Sequence, residues 1–159
     1  MMATMARWLA FVTLAAFIAA AGSAHAQEKT ERRFGVEYDP DNYSQKTAKE
    51  ALASVVKAID GRKFDYLLAQ LAEPTYIDKR VQGMDGDFRA LVKETADRFN
   101  ADPTLLKELK RFSNEGEWEE AEDIATAKLK DVKARAVFFK KIDNRWYLEN
   151  RQKAEPKEK

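Results

Sequence analysis

The reactive residue types of this chain limit the chemistry that it can do. The 159-residue sequence has no cysteine, and its one histidine, His25, lies in an N-terminal segment that we predict to be removed. Histidine triads, thiol nucleophiles, disulfide frameworks and Cys/His zinc sites are therefore excluded from the mature protein. Acid–base chemistry would have to use carboxylates and tyrosines whose pKa values are moved toward the working pH.

The densest group of carboxylates surrounds Trp118. Its members are Glu115, Glu117, Glu119, Glu120, Glu122 and Asp123. Calcium prefers such oxygen ligands, but the sequence has no EF-hand loop, and alternate residues of a strand face opposite sides of a sheet. We therefore interpret the group as a solvated sheet edge whose charges oppose pairing with other strands. We predict no metal and no other cofactor. Trp118 itself is a candidate platform for ligand stacking.

The balance of charge argues against nucleic acid as a partner. Removal of Arg7 with the leader makes the basic residues equal in number to the 27 acidic ones. Three basic residues, Lys107, Lys110 and Arg111, do recur at helical spacing, and Arg98 lies nearby. Carboxylates are interleaved with them, which is typical of a mixed, solvated helix surface rather than a phosphate-binding face.

The first 26 residues have the three-part layout of a secretory signal peptide. One positive charge, Arg7, precedes an apolar run of 14 residues, and Ala24-His25-Ala26 provides the small residues that signal peptidase accepts. The alternative is an uncleaved membrane anchor, but a spanning helix needs roughly 20 apolar residues. We predict cleavage after Ala26, export to the periplasm or the extracellular space, and no membrane attachment of the mature protein.

Apolar residues at helical spacing dominate the first half of the mature chain. One stripe consists of Ala48, Leu52, Val55 and Ile59. We predict that its helix begins after an N-cap at Ser44 and ends at Gly61 in a left-handed conformation. A second helix starts at Phe64 and stops at Pro74. Residues 75–81 are ambiguous between helix and strand, and we favour a short strand.

Two further helices and an antiparallel sheet complete the predicted order. Asp87 caps the third helix, and Asp102-Pro103 starts the fourth with proline in its first position. After Gly116 the apolar period changes to two, which predicts three strands, at 117–130, 133–141 and 145–149. Asp143-Asn144 is a two-residue hairpin signal. The fold class is α+β, a single domain over 44–151, preceded by an extended or disordered arm at 27–43 and followed by a disordered tail at 152–159.

Two stretches resemble the NTF2-like superfamily, which includes SnoaL-like and ketosteroid-isomerase-like proteins. Residues 51–68, with the Gly61-Arg62-Lys63-Phe64 break, are similar to the opening helices of that family, and residues 136–148 are similar to its final hairpin. The resemblance implies a secreted bacterial member in which helices pack on a curved antiparallel sheet that forms a cone. It also implies that Trp146 packs in the core, and it makes a homodimer through the sheet face an open alternative.

The same resemblance directs attention to the second helix, which borders the cavity in that family. It makes Asp78, Tyr76 and Tyr66 the candidate catalytic residues, with Asp78 as a base and Tyr76 as a donor, and it makes Tyr76 and Trp118 candidate ligand contacts. None of them lies on a recognisable catalytic motif. We therefore expect a non-catalytic domain that binds a small molecule or a protein partner, and the alternative is an isomerase- or dehydratase-like enzyme with an Asp/Tyr pair.

Overall fold

The computed structural model describes residues 31–151, and within them five helices precede a four-stranded antiparallel sheet. The elements are β1 (Arg32–Arg33), β2 (Val36–Glu37), α1 (Ala48–Asp60), α2 (Phe64–Tyr66) with a π-helical continuation (Leu67–Leu71), α3 (Pro74–Gln82), α4 (Phe88–Ala101), α5 (Thr104–Glu115), β3 (Glu117–Ala121), β4 (Ile124–Leu129), β5 (Val132–Ile142) and β6 (Arg145–Glu149). The predicted α+β class is confirmed. The predicted cleavage site, the start of the arm and the tail at 152–159 lie outside the described residues.

Helix α1 presents its predicted apolar stripe to the core but begins later than expected. Thr47, not Ser44, is the N-cap, and its hydroxyl oxygen accepts a hydrogen bond from Glu50 N at 3.1 Å. Ser44 lies in the preceding turn, where its carbonyl accepts a hydrogen bond from the Ser54 hydroxyl at 2.7 Å. The four stripe residues Ala48, Leu52, Val55 and Ile59 are all buried.

Gly61 ends α1 without the left-handed conformation that we predicted. Its φ is −80°, and the next residue, Arg62, adopts the positive φ of 56°. Glycine is favoured at position 61 by a close approach instead, because a Cβ there would lie 3.2 Å from the carbonyl oxygen of Lys57. The break between α1 and α2 therefore depends on the limited space for a side chain at Gly61 and on the positive φ of Arg62.

The predicted strand at 75–81 is wrong, because these residues belong to α3. Pro74 occupies the first turn of that helix, and the Glu73 carboxylate accepts hydrogen bonds from Thr75 N at 3.2 Å and Tyr76 N at 2.7 Å. Proline is compatible with a first helical turn, where its missing N–H has no partner in any case. Pro74 is thus the first residue of α3, and it does not only mark the end of the preceding helix.

Helices α4 and α5 follow the predicted capping signals closely. The Asp87 carboxylate accepts a hydrogen bond from Ala90 N at 3.0 Å and caps α4. Pro103 is the N-cap residue of α5 rather than its first helical residue, and the Asp102 carboxylate accepts a hydrogen bond from Thr104 N at 3.0 Å. No helix of residues 31–151 is long and apolar enough to cross a membrane.

The sheet has four strands in the order β3-β4-β5-β6, one more than we predicted. The segment predicted as one strand, 117–130, turns at Glu122, whose φ is 43°, and forms the β3–β4 hairpin. The predicted turn at Asp143-Asn144 is confirmed, since it joins β5 to β6 and both of its residues have positive φ, 47° and 63°. Such a turn matches the twist of the flanking strands.

One face of the sheet packs on α1 and α5. Trp146 is 6% exposed and shares a cluster with Leu52 of α1, Phe112 of α5 and Phe139 of β5, so its predicted core position is confirmed. Edge strand β6 is covered by backbone, because Trp146 N donates to the carbonyl of Gln45 at 3.0 Å, and the Leu148 carbonyl accepts a hydrogen bond from Glu73 N at 2.9 Å. Strand β3 forms the opposite edge and is rich in charge.

Candidate functional site

A groove of about 650 Å³ lies between helices α3, α4 and α5 and the ends of strands β5 and β6. This volume falls within the range of pockets that hold small molecules. Apolar side chains from six elements form its floor, among them Leu68, Ile77, Leu91, Phe112, Val137 and Leu148. The groove, defined by this lining, is the candidate site.

Local sequence explains why the walls of the groove are apolar. Ile77 lies one turn before Val81 on α3, and both are buried against Leu91 of α4. On the sheet side, the register between β4 and β5 shifts at Lys128/Leu129, so that Lys128 pairs with Ala136 but Leu129 pairs with Val132. Ala136 and Val137, which precede this irregularity in the regular part of the ladder, line the groove.

Three ion pairs surround the mouth of the groove, and we refer to them as the rim pairs. Arg80 and Glu94 join α3 to α4 at 2.8 Å, and Arg135 and Glu108 join β5 to α5 at 2.6 Å. The third joins Glu149, at the end of β6, to the neighbouring Arg151 at 2.8 Å. Partly exposed pairs of this kind contribute little stability each. In each pair, the charge of the arginine and that of the carboxylate compensate each other at the edge of the groove.

The fourth carboxylate of the lining is also occupied. Asp102 accepts hydrogen bonds from both the backbone N–H and the hydroxyl of Thr104. These bonds, with smaller contributions from the positive charges of Arg135 and Arg98, hold the pKa of the Asp102 carboxyl below its usual range. Asp102 is therefore an ionised capping group at neutral pH.

Of the candidates proposed from sequence, Tyr76 lines the groove and Asp78 does not. Tyr76 is 37% exposed at the mouth of the groove. Asp78 is two residues further along the helix, about 200° around its axis, and its exposed carboxylate pairs with Arg33 of β1. The structure therefore does not bring the two side chains together in one pocket. The neighbouring Lys79 and Arg80 do not pair with Asp78 within the described residues.

Tyr66 lies outside the groove. Its hydroxyl accepts a hydrogen bond from Asp39 N at 3.1 Å and donates one to the Asp39 carbonyl at 3.3 Å, and its ring stacks on Tyr43 at 4.2 Å. Burial is the main cause that raises the pKa of Tyr66 to about 12. The residue lines a second cavity of about 510 Å³ beside residues 36–41. A phenol that keeps its proton and bonds to backbone is a structural contact.

Trp118 is also remote from the groove. It lies on β3, half-buried, with its ring centre 6.0 Å from that of Phe139 in the sheet core. Of the carboxylates around it, Glu119 pairs with Lys128 across the strands at 2.8 Å, whereas Glu115 pairs with Arg111 of its own helix, α5. Among residues 31–151, no three acidic side chains are placed to hold a metal ion.

Sequence reasoning missed a polar cluster around Arg145. The side chain of Arg145 is 15% exposed, and it pairs with Glu31 at 2.5 Å and donates to the side-chain oxygens of Gln45 at 3.2 Å and Gln70 at 3.3 Å. Its guanidinium also lies 3.9 Å from the ring centre of Tyr38. These contacts join β6, the π-helical turn and the N-terminal hairpin.

Gln70 belongs to the same cluster, and its position in the sequence is the feature from which the cluster could have been predicted. It is fully buried in the π-helical turn, and its amide nitrogen donates to the carbonyl oxygen of Val36 at 2.9 Å. A polar residue within the otherwise apolar run from Leu67 to Leu71 predicts a buried hydrogen-bond partner. The cluster fixes residues 31–38 against the domain and lies apart from the groove.

Comparison of the chain with models of known protein families, with curated proteins and with solved structures found no match.

Proposed function

We propose that this domain is a non-catalytic binding module that takes a small, largely apolar molecule into the groove. The observation that carries the proposal is the combination of a volume of about 650 Å³, an apolar floor and a charged mouth. Ligand sites in proteins are typically concave and apolar with a few polar groups that fix orientation. We also propose that the protein acts after export, in the periplasm or outside the cell, because of its predicted signal peptide.

The state of the polar groups in the groove supports binding over catalysis. A general base must reach its substrate with a free lone pair and a suitable pKa. Three of the four carboxylates of the lining accept hydrogen bonds from Arg80, Arg135 or Thr104. The fourth, Glu149, forms an ion pair with Arg151, and its buried Oε2 atom accepts no hydrogen bond within the described residues. Burial raises the pKa of Tyr66 and Tyr147, but neither residue lines the groove, and a raised pKa keeps the phenol protonated at neutral pH.

Membership of the NTF2-like superfamily is part of the proposal. Its support is the order of helices before an antiparallel sheet and a final hairpin that ends in Trp146-Tyr147-Leu148. In such an arrangement the space between helices and sheet is the natural ligand site, and the groove occupies that space. The rival enzyme hypothesis requires Asp78 and a tyrosine in one closed pocket, whereas Asp78 pairs with Arg33 at the surface.

A groove-filling substitution tests the proposal. Ala136 lines the groove on β5, whereas Ala134 is exposed on the same strand and does not line it. Ala136→Trp should abolish binding of the uncharged fluorescent probe N-phenylnaphthylamine, and Ala134→Trp should bind it as the wild type does. Thermal melting of all three proteins controls for folding. Equal probe binding by the two variants would refute the groove as the site.

A further inference from the structure

We infer that the molecule bound in the groove carries an uncharged hydrogen-bond donor, a hydroxyl group, which it donates to the Glu149 carboxylate. This inference rests on the proposed function, because it names the polar group of the ligand of the same groove. Buried polar atoms of proteins are normally hydrogen-bonded, so a buried acceptor of the lining that lacks a hydrogen bond indicates what a ligand supplies. Glu149 Oε2 is such an acceptor among residues 31–151.

Glu149 is the most deeply placed carboxylate of the rim pairs. It is the last residue of β6, and its side chain is 12% exposed, less than that of Glu94 or Glu108. Its Oε2 atom is buried, so bulk solvent does not satisfy it as it satisfies the oxygens of an exposed carboxylate. The terminal torsion of a glutamate side chain is broad. A rotation about that torsion therefore turns Oε2 toward a group that occupies the groove.

The ion pair with Arg151 compensates the charge of Glu149 and leaves this acceptor unused. Arg151 Nε lies 2.8 Å from Oε2, but its N–H is not directed at that oxygen. The hydrogen bond of the pair joins Arg151 Nη2 to the other oxygen, Oε1, at 3.3 Å. Since a hydrogen bond weakens steeply when the N–H points away from the acceptor, the protein supplies the positive charge at Oε2 but no hydrogen bond.

The other three carboxylates of the lining accept well-formed hydrogen bonds. Glu94 accepts two from Arg80, at 2.8 and 2.9 Å, and Glu108 accepts one from Arg135 at 2.6 Å. Asp102 accepts one from the backbone at the start of α5, at 3.0 Å. A ligand that donated to any of these three would compete with a bond that the protein already makes. At Glu149 Oε2 it gains a hydrogen bond and displaces none.

The charges of the lining favour an uncharged donor. The lining contains four arginines and four carboxylates, so its formal charge is zero. A ligand cation would meet Arg151 beside the acceptor, and a ligand carboxylate would meet Glu149 itself. A hydroxyl group meets neither repulsion, and its hydrogen bond to an ionised acceptor is stronger than one between two neutral groups. Val137 and Leu148, which also line the groove, then contact the hydrocarbon part of the ligand.

Two isomers test the inference on the whole mature protein. Decanol and methyl nonyl ether contain the same atoms, but only the alcohol has an O–H donor. Displacement of N-phenylnaphthylamine from the groove measures the affinity of each. We expect decanol to displace the probe at roughly one tenth of the concentration that the ether needs, the effect of one hydrogen bond to a charged group. Decylammonium and decanoate, which carry a charge on the same chain, should bind less tightly than decanol.

Substitution of Glu149 identifies the acceptor. Glu149→Met keeps the length of the side chain and removes both oxygens, so it should weaken decanol binding roughly ten-fold and leave the ether unaffected. Glu149→Gln keeps one acceptor oxygen without the charge, and it should retain part of the preference. Glu117→Met is the control, because Glu117 also forms an ion pair on an edge strand but lies on the opposite edge of the sheet and does not line the groove. Thermal melting of each variant controls for folding.

The outcomes separate the hydroxyl group from the proposed function. Equal affinities for decanol and the ether, both lost in Ala136→Trp, would overturn the hydroxyl donor and leave the binding module standing. Tighter binding of decylammonium or decanoate than of decanol would overturn an uncharged donor. An equal loss for alcohol and ether in Glu149→Met would overturn Glu149 as the acceptor, because it would report the shape of the groove. A wild type that binds neither the probe nor decanol would overturn both proposals.

Discussion

Replacement of Trp146 by alanine tests how the sheet is held to the helices. Trp146 is 6% exposed and packs in one cluster with Leu52 of α1 and Phe112 of α5. The substitution would remove most of the buried ring and leave a cavity between two layers, which close-packed surroundings fill only partly. We expect the free energy of unfolding to fall by about 3–5 kcal/mol, as for other large buried aromatic residues.

Trp118 is the matched control for this substitution. The strand register places it on the same face of the sheet as Trp146, but it lies on edge strand β3 and is only half-buried. Because part of its side chain remains in contact with solvent, Trp118→Ala should cost less, about 1–2 kcal/mol.

Urea unfolding followed by far-ultraviolet circular dichroism measures both losses without relying on tryptophan fluorescence. The dependence on urea should be unchanged, because the same surface is exposed on unfolding. Equal losses in the two variants, or a loss below about 1 kcal/mol for Trp146→Ala, would refute the core position of Trp146 and the strand phase derived from it.

Three further predictions concern the polar cluster, a tyrosine and a helix cap. Arg145→Met should lower the free energy of unfolding by about 1–3 kcal/mol and speed hydrogen exchange in residues 31–38. The control is Arg32→Met, at an exposed ion pair of the β1–β2 hairpin, which should change the stability by no more than about 0.5 kcal/mol and leave hydrogen exchange as it is. Equal exchange in the two variants would contradict the role of the cluster. The pKa of Tyr66 is raised from 10.0 to about 12, so between these values the folded state binds more protons than the unfolded state. The stability that Tyr66 contributes should therefore be fully present below pH 10 and be lost as the pH rises through about 12. Thermal melts across this range measure the loss, and the same alkaline loss in Tyr66→Phe would contradict the prediction. Asp87→Ala should cost about 1 kcal/mol through loss of the α4 cap, measured by urea unfolding, and no change would show that another group satisfies Ala90 N.

Much of the fold can be predicted from local signals in the sequence. Where the prediction is wrong, the cause is also local. The α1 stripe and the Asp143-Asn144 turn were predictable because each depends on residues adjacent in the chain. Residues 75–81 were mistaken for a strand because threonine, tyrosine, isoleucine and valine favour strands. The capping of α3 by Glu73 and the helical spacing of Ile77 and Val81 outweigh that preference.

The candidate site was predictable only in part. The family resemblance directs attention to Tyr76, and its side chain does line the groove. The sequence does not predict that Arg80 pairs with Glu94 and Arg135 with Glu108, which engages two carboxylates of the groove. Such pairings join elements that are distant in sequence, so no local pattern contains them.

Methyl NMR of the mature protein during addition of decanol tests the central claim most directly. The proposed binding module predicts shifts confined to methyl groups of the groove, above all those of Ile77, Leu91 and Val137. The methyl groups of Ile124, exposed on β4 away from the groove, should not move. An unshifted groove at saturating decanol, or shifts centred on Ile124, would contradict the claim that this groove binds an apolar ligand.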